Sequence, residues 1–125
     1  MIKTCVSSYS FGWQADESQL GTLGVIEKAK EMGFDGIEFV ENEYTNLEKA
    51  HLIREKCDEV GITPVNFCIG GNLALENRED LDKEIARIKN MVDIASLMGV
   101  SMLRHDVAYG PFKRTYNTGY DAAIP

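Results

Sequence analysis

Three stretches of this 125-residue chain carry one pattern: Glu31-Met-Gly-Phe-Asp-Gly-Ile-Glu-Phe39, Glu59-Val-Gly-Ile-Thr-Pro-Val-Asn-Phe67 and Leu97-Met-Gly-Val-Ser-Met-Leu-Arg-His105. Each closes a helix-period segment with an apolar residue and a glycine, then opens a short apolar run with the two-residue alternation of a strand. Gly33, Gly61 and Gly99 read as the residues just past a helix end, where a left-handed backbone costs glycine little. The spacing of these glycines leaves room for one strand and one helix per unit. Working outward, strands are expected at 2–8, 36–40, 64–69 and 101–107. The order is β-α-β-α-β-α-β, followed by a Gly, Pro and aromatic tail.

The intervening helices have readable starts. Thr45-Asn-Leu-Glu48 fits a capping box, with Thr45 as N-cap and Glu48 three residues on. Asn77-Arg-Glu-Asp80 places an N-cap residue and two acids where the helix dipole favours negative charge. The helix that follows shows Leu81, Ile85, Ile88, Val92 and Ala95 at three-to-four spacing, an apolar stripe. The first helix begins near Asp16 or Thr22, weakened by Gly21 and Gly24, and presents Val25, Ile26, Ala29 and Met32 as its face.

Composition narrows the class. The chain is 44% hydrophobic and 26% charged, which fits one globular domain over residues 1–125 and argues against a disordered chain. Thirteen Lys and Arg against 20 Asp and Glu leave a net charge of −7, so no nucleic-acid or anionic-membrane partner is expected. No apolar run approaches the ~20 residues of a membrane span, and the polar start MIKTCVSSYS lacks a signal-peptide core, so a cytoplasmic location is expected. Cys5, Cys57 and Cys68 lack CxxC spacing and read as buried thiols rather than a disulfide framework or zinc knuckle.

Repeated βα units imply an α/β fold with parallel strands covered by helices. Two architectures fit: half of a (β/α)8 TIM barrel, whose whole needs ~250 residues, or a small open doubly wound sheet. The tail Asp121-Ala-Ala-Ile-Pro125 reads as the start of a fourth helix, which favours the first four strands and three helices of a barrel. A receiver-like phospho-acceptor domain is disfavoured because Ser7-Ser8 stands where a pair of acids would follow the first strand.

Gly33-Phe-Asp-Gly-Ile-Glu-Phe39 resembles the second-strand phrase of the sugar phosphate isomerase/epimerase superfamily, the xylose-isomerase-like TIM barrels. Val6-Ser-Ser-Tyr-Ser-Phe11 is similar to that family's first strand and Gly99-Val-Ser-Met-Leu-Arg104 to its fourth. The resemblance covers the N-terminal half of the family's barrel only. It implies a parent enzyme that isomerises or epimerises a small sugar or sugar phosphate by metal-assisted proton transfer. The divalent metal it implies (Mn, Mg, Co or Zn) is held in the family by two Glu, an Asp and a His on strands five to eight. No metal ligand is therefore carried over, and no tightly bound cofactor is expected in this segment. The alternative is a non-catalytic βα half-barrel that self-associates through open sheet edges or binds a partner.

Strand alternation sorts the candidate site residues. Glu38, Asn66 and Arg104 take one register in the aligned stretches, with Ile37, Phe39, Val65 and Phe67 on the helix side. They read either as substrate-pocket residues facing the barrel axis or as a structural ion pair, with Glu38 and Arg104 meeting across the interior. In Arg104-His-Asp106, parity sends Asp106 inward and His105 toward the helices, unless a bulge reverses it. Tyr9, Phe11 and Trp13 follow the first strand at every second position, in a loop, where Tyr9 and Trp13 are placed to stack on a sugar ring or pack the rim. Lys113 and Arg114, beside aromatics in the tail, read first as a solvated loop, with donation to a substrate phosphate as the alternative. Gly70-Gly71-Asn72 lacks a P-loop Lys-Ser/Thr and reads as a flexible βα loop. Asp35, at a strand entrance, belongs to stability, and His51 to a helix surface.

Overall fold

The structure, a computed structural model, describes residues 2–109. Its elements alternate: β1 (Cys5–Ser7), a 3-10 helix (Ser8–Ala15), α1 (Gly21–Glu31), β2 (Gly36–Val40), α2 (Leu47–Val60), β3 (Thr63–Ile69), α3 (Arg78–Met98) and β4 (Met102–His105). The strands form one all-parallel sheet in the order β1-β2-β3-β4. That order separates the two architectures. A doubly wound sheet reverses direction partway and puts helices on both faces, whereas sequential order with crossovers of one hand stacks every helix on one face. Here α1 packs on α2 and α2 on α3, so the helices make one layer. The described chain is a partial TIM barrel, with one covered and one uncovered sheet face.

The covered face holds the core. Ile37, Phe39, Phe67 and Ile69 point to the helices and are at most 2% exposed, meeting Ile26, Ile94 and Met98 from the helix layer. At ~25 cal/mol per Å² of apolar surface, each such side chain stabilises the fold by ~1.5–3 kcal/mol relative to exposure. Two residues expected on the apolar stripes are not there. Met32 is 60% exposed because α1 ends at Glu31, and Val92 is 50% exposed because Met91, Ile94, Ala95 and Met98 form the inner face of α3. Val65 also departs from expectation. The β2–β3 register slips between Ile37 and Glu38, and Val65 turns toward Gly36, where a Cβ would stand 2.7 Å from its Cγ2.

Helix ends follow local chemistry. Gly33, Gly61 and Gly99 have φ of 88°, 70° and 76°, the left-handed values expected of them. Asn77 caps α3, accepting from the Asp80 amide at 3.1 Å. The expected capping box at Thr45 does not form. Asn46 is the N-cap of α2, its Oδ1 accepting from the Lys49 amide at 2.8 Å, while the Thr45 hydroxyl accepts from the Asn42 amide at 3.0 Å. α1 begins at Gly21, beside Thr22 rather than Asp16. Its N-cap residue Leu20 has no capping side chain, and Glu17 reaches in from the preceding turn to accept from the Thr22 amide at 3.2 Å and its hydroxyl at 3.1 Å. Asp35 ties the strand entrances together by accepting from the Thr4 amide at 2.8 Å. Cys57 and Cys68 are buried as expected, but Cys5 is exposed because β1 has no neighbour on its outer side among the described residues. The expectations for 113–114 and 121–125 fall outside the described residues.

Candidate functional site

The uncovered face carries a polar row. Parallel pairing sets Ser7 beside Glu38 and Glu38 beside Asn66, so three adjacent strands present a hydroxyl, a carboxylate and an amide side by side. Asn66 Nδ2 donates to Glu38 Oε2 at 2.9 Å and lies 3.2 Å from Cys68 Sγ. The Asn66 amide is the main reason that the Glu38 carboxyl sits below its ordinary range. Burial opposes this, while Ser7, Cys68 and the Arg104 charge add to it. Glu38 is therefore an ionised acceptor at neutral pH, half-buried, with one oxygen held by Asn66.

Arg104 lies on the same face but one pair farther along. β4 places Met102 beside Asn66 and Arg104 beside Cys68, which corrects the single register expected for Glu38, Asn66 and Arg104. Of the two readings, the Glu38–Arg104 ion pair does not form among the described residues. Arg104 Nη1 bonds Asp106 Oδ1 two residues on, and its Nε lies 3.5 Å from Cys68 Sγ. The parity assigned to Arg104 and Asp106 fits this contact. His105 alternates to the other side, beside Ile69, and is exposed. Its Nδ1 stands 2.8 Å from the Asp106 carbonyl oxygen, which can only accept, so Nδ1 is the donor of this contact.

Tyr9 and Trp13 lie not in a loop but on the kinked 3-10 helix Ser8–Ala15. Gly12, at φ 53° and ψ −131°, makes the kink and lets neighbouring aromatics diverge. Phe11 packs against the core, whereas Tyr9 and Trp13 are 79% and 73% exposed. Tyr9 borders a groove with Ser8, Gly12, Glu41 and Asn42, at the C-terminal ends of β1 and β2 where barrel sites are built. The structure thus brings Ser7, Glu38, Asn66, Cys68, Arg104 and Asp106 onto one surface, and leaves Tyr9, Trp13 and His105 outside that set of contacts.

Sequence reading missed the most connected group at this end of the sheet. Glu41 follows β2, Gly70 follows β3, and Arg87 reaches both from α3. Arg87 Nη1 donates to Glu41 Oε1 at 2.7 Å, Nη2 donates to the Gly70 carbonyl at 2.7 Å, and Nε donates to Glu84 Oε2 at 2.9 Å. Glu41 Oε2 in turn accepts the Gly70 amide at 3.0 Å, and Glu84 Oε1 accepts the Asn72 amide at 2.9 Å. Arg87 holds the Glu84 carboxyl below its ordinary range, and Glu84 in return stabilises the guanidinium charge. Gly70-Gly71-Asn72 is accordingly a pinned segment, not a flexible loop. A Cβ at Gly70 would strike the Tyr109 hydroxyl, and one at Gly71 the Asp106 carbonyl oxygen. The only local signal was the Glu84, Arg87 spacing of three on one helix face.

Among the described residues, no three His, Cys, Asp or Glu side chains converge as metal ligands. The donors on the uncovered face include two carboxylates, Glu38 bonded to the Asn66 amide and Asp106 to the Arg104 guanidinium, and with no third ligand converging on them among the described residues they do not make a divalent-metal cage. No described helix is long and apolar enough to cross a membrane.

Comparison with known proteins adds three findings. A family model described as xylose isomerase-like TIM barrel matches residues 26–124. Solved structures share the fold at low identity. A sugar phosphate isomerase/epimerase from Parabacteroides distasonis superposes with a TM-score of 0.65 at 14% identity, covering 97% of this chain and 46% of its own. The 3-keto-D-glucoside 4-epimerase YcjR from E. coli gives 0.64 at 19% identity, covering 81% of this chain and 42% of its own. A xylose isomerase domain protein from Planctomyces limnophilus gives 0.58 at 17% identity, covering 97% and 44%. The chain thus spans less than half the length of each of these three structures. No curated protein matches it.

Proposed function

The chain belongs to the xylose isomerase-like TIM-barrel family, and from that premise we propose that it forms the substrate-contacting first half of a sugar isomerase or epimerase barrel. The substrate class is a small polyhydroxylated sugar or sugar phosphate, and the reaction moves a proton at a carbon next to a carbonyl. The part assigned to these residues is substrate contact. An ionised Glu38 accepts from a substrate hydroxyl, while the Asn66 amide fixes the carboxylate's orientation and Ser7 and Arg104 offer further hydroxyl and guanidinium partners. The observation that carries this reading is the Ser7–Glu38–Asn66 row, a held, charged acceptor on the face the helices leave open. The described residues do not fit the divalent metal that the family implies, so its ligands are assigned outside them.

The test is an NMR titration of the whole chain with small aldoses, ketoses and their phosphates. Shifts centred on the Asn66 side-chain amide and the backbone of Glu38, lost in Glu38→Ala, support the assignment. A panel that moves neither signal overturns it. A second reading is favoured by the outer edges of β1 and β4, which have no neighbouring strand among the described residues: the half-barrel pairs with another copy through those edges. Sedimentation showing only monomer at high concentration rejects that reading without touching the first.

A further inference from the structure

We propose that the cleft between Trp13 and Tyr44 is a binding site for a small organic cation, an ammonium group carrying alkyl or methylene substituents. The 3-10 helix Ser8–Ala15 and the segment after β2 wall this cleft, and its lining includes Gly12, Trp13, Asp16, Glu43 and Tyr44. The site is separate from the Glu38 row and does not rest on the sugar reading.

Three observations point to a cation. First, the two aromatics bordering the cleft stay uncovered, Trp13 at 73% and Tyr44 at 40% exposure. Indole and phenol rings present a negative face, and a desolvated alkylammonium gains from both the ring quadrupole and apolar contact. Second, the kink at Gly12, with positive φ, separates Trp13 from the core-packed Phe11. No atom lies within 4 Å of where a Gly12 Cβ would be, so glycine is required there by backbone conformation and not by crowding.

Third, the charge is one-sided. Asp16 and Glu43 line the cleft, and among the described residues no Lys or Arg does. Asp16 Oδ1 is anchored by the Ser18 amide at 2.8 Å and by the Ser18 hydroxyl, leaving Oδ2 without a described partner. Those Ser18 bonds also hold its carboxyl below the ordinary range, so it stays ionised. The Tyr44 phenol lies beside the Glu43 carboxylate and in the field of Asp16 and Glu17, which raise its pKa. Lys49, on α2 near this end, is engaged with Glu17 at 2.8 Å. An anion is repelled by this lining. A neutral polyol would use the rings but leave both carboxylates without a counter-charge.

The chain has a single tryptophan, so its emission reports on this cleft. The experiment titrates the whole chain with tetramethylammonium chloride at constant ionic strength, with tert-butanol as a neutral probe of similar shape and glucose as a neutral polyol. The expected result is a saturable change in Trp13 emission with tetramethylammonium alone, weakened at least ~10-fold in the Asp16→Asn, Glu43→Gln double variant. Asparagine retains an acceptor for Ser18, and far-UV circular dichroism checks that this variant folds. If it does not, Tyr44→Leu replaces it with the same expected weakening. No saturable response, an equal response to tert-butanol or glucose, or unchanged affinity in the folded variant overturns the proposal. The wild-type comparison of probes decides even where both variants fail.

Discussion

Asn66 on β3 donates its side-chain amide to Glu38 on β2 at 2.9 Å, joining adjacent strands on the face that the helices leave open. The bond exists because the register slips between Ile37 and Glu38, which sets Glu38 opposite Asn66 instead of Val65. A β-bulge of this kind re-aims a side chain without ending the ladder. Its consequence is electrostatic: the amide donor favours the charged carboxylate and lowers its pKa.

The pH dependence of stability follows from that sign. A carboxyl whose pKa is depressed on folding contributes stability above its unfolded value, ordinarily 4.5, and loses it as pH falls through the lower folded value. Glu38→Gln should cost ~1 kcal/mol or less at pH 7, since the site is half-buried and glutamine keeps an acceptor. The gap between wild type and variant should close below about pH 4. Urea midpoints from pH 7 to pH 3 check this, and parallel curves would show that Glu38 is not stabilised in the folded state.

Arg87 connects two loops through one guanidinium. Its removal in Arg87→Ala leaves Glu41, Glu84 and the Gly70 carbonyl short of donors, and the expected loss is ~1–3 kcal/mol. Arg87→Lys should recover less than half of that loss, because an ammonium does not reproduce the planar fork. Denaturant unfolding measures both variants, and amide exchange at Gly70 and Asn72 should accelerate in each, reporting a loosened β3–α3 segment.

The cap of α2 distinguishes two neighbouring residues. Asn46→Ala removes the acceptor of the Lys49 amide and should cost ~1 kcal/mol. Thr45→Ala loses only an exposed turn contact with Asn42 and should cost under ~0.5 kcal/mol. Equal losses would return the capping role to Thr45.

The three thiols should separate by reactivity. Burial pushes the Cys57 thiol up to about 12, so it has almost no thiolate at neutral pH and no access to reagent. Cys5 is exposed and Cys68 is buried beneath the polar row. Brief native alkylation at pH 8 followed by peptide mass spectrometry should mark Cys5 first, with Cys57 labelled only on unfolding. Early labelling of Cys57 would contradict the packing between α2 and the sheet.

What the sequence determined by itself was local. The order of βα units, the three glycine helix ends and the Asn77 cap follow from backbone preferences and short-range hydrogen bonds within a few residues of one another. The face bearing Glu38, Asn66 and Arg104 was legible too, since alternation has a period of two. Their alignment along the sheet was not. It depends on the slip at Ile37/Glu38 and on how β4 docks, which puts Arg104 beside Cys68 and hands its charge to Asp106. The Arg87–Glu41 pair joins residues 46 apart in sequence, so no local pattern announces it. Strand order and helix sidedness were likewise decided only by tertiary packing. Each βα unit is compatible with either architecture until burial of the apolar faces selects one side of the sheet for all three helices.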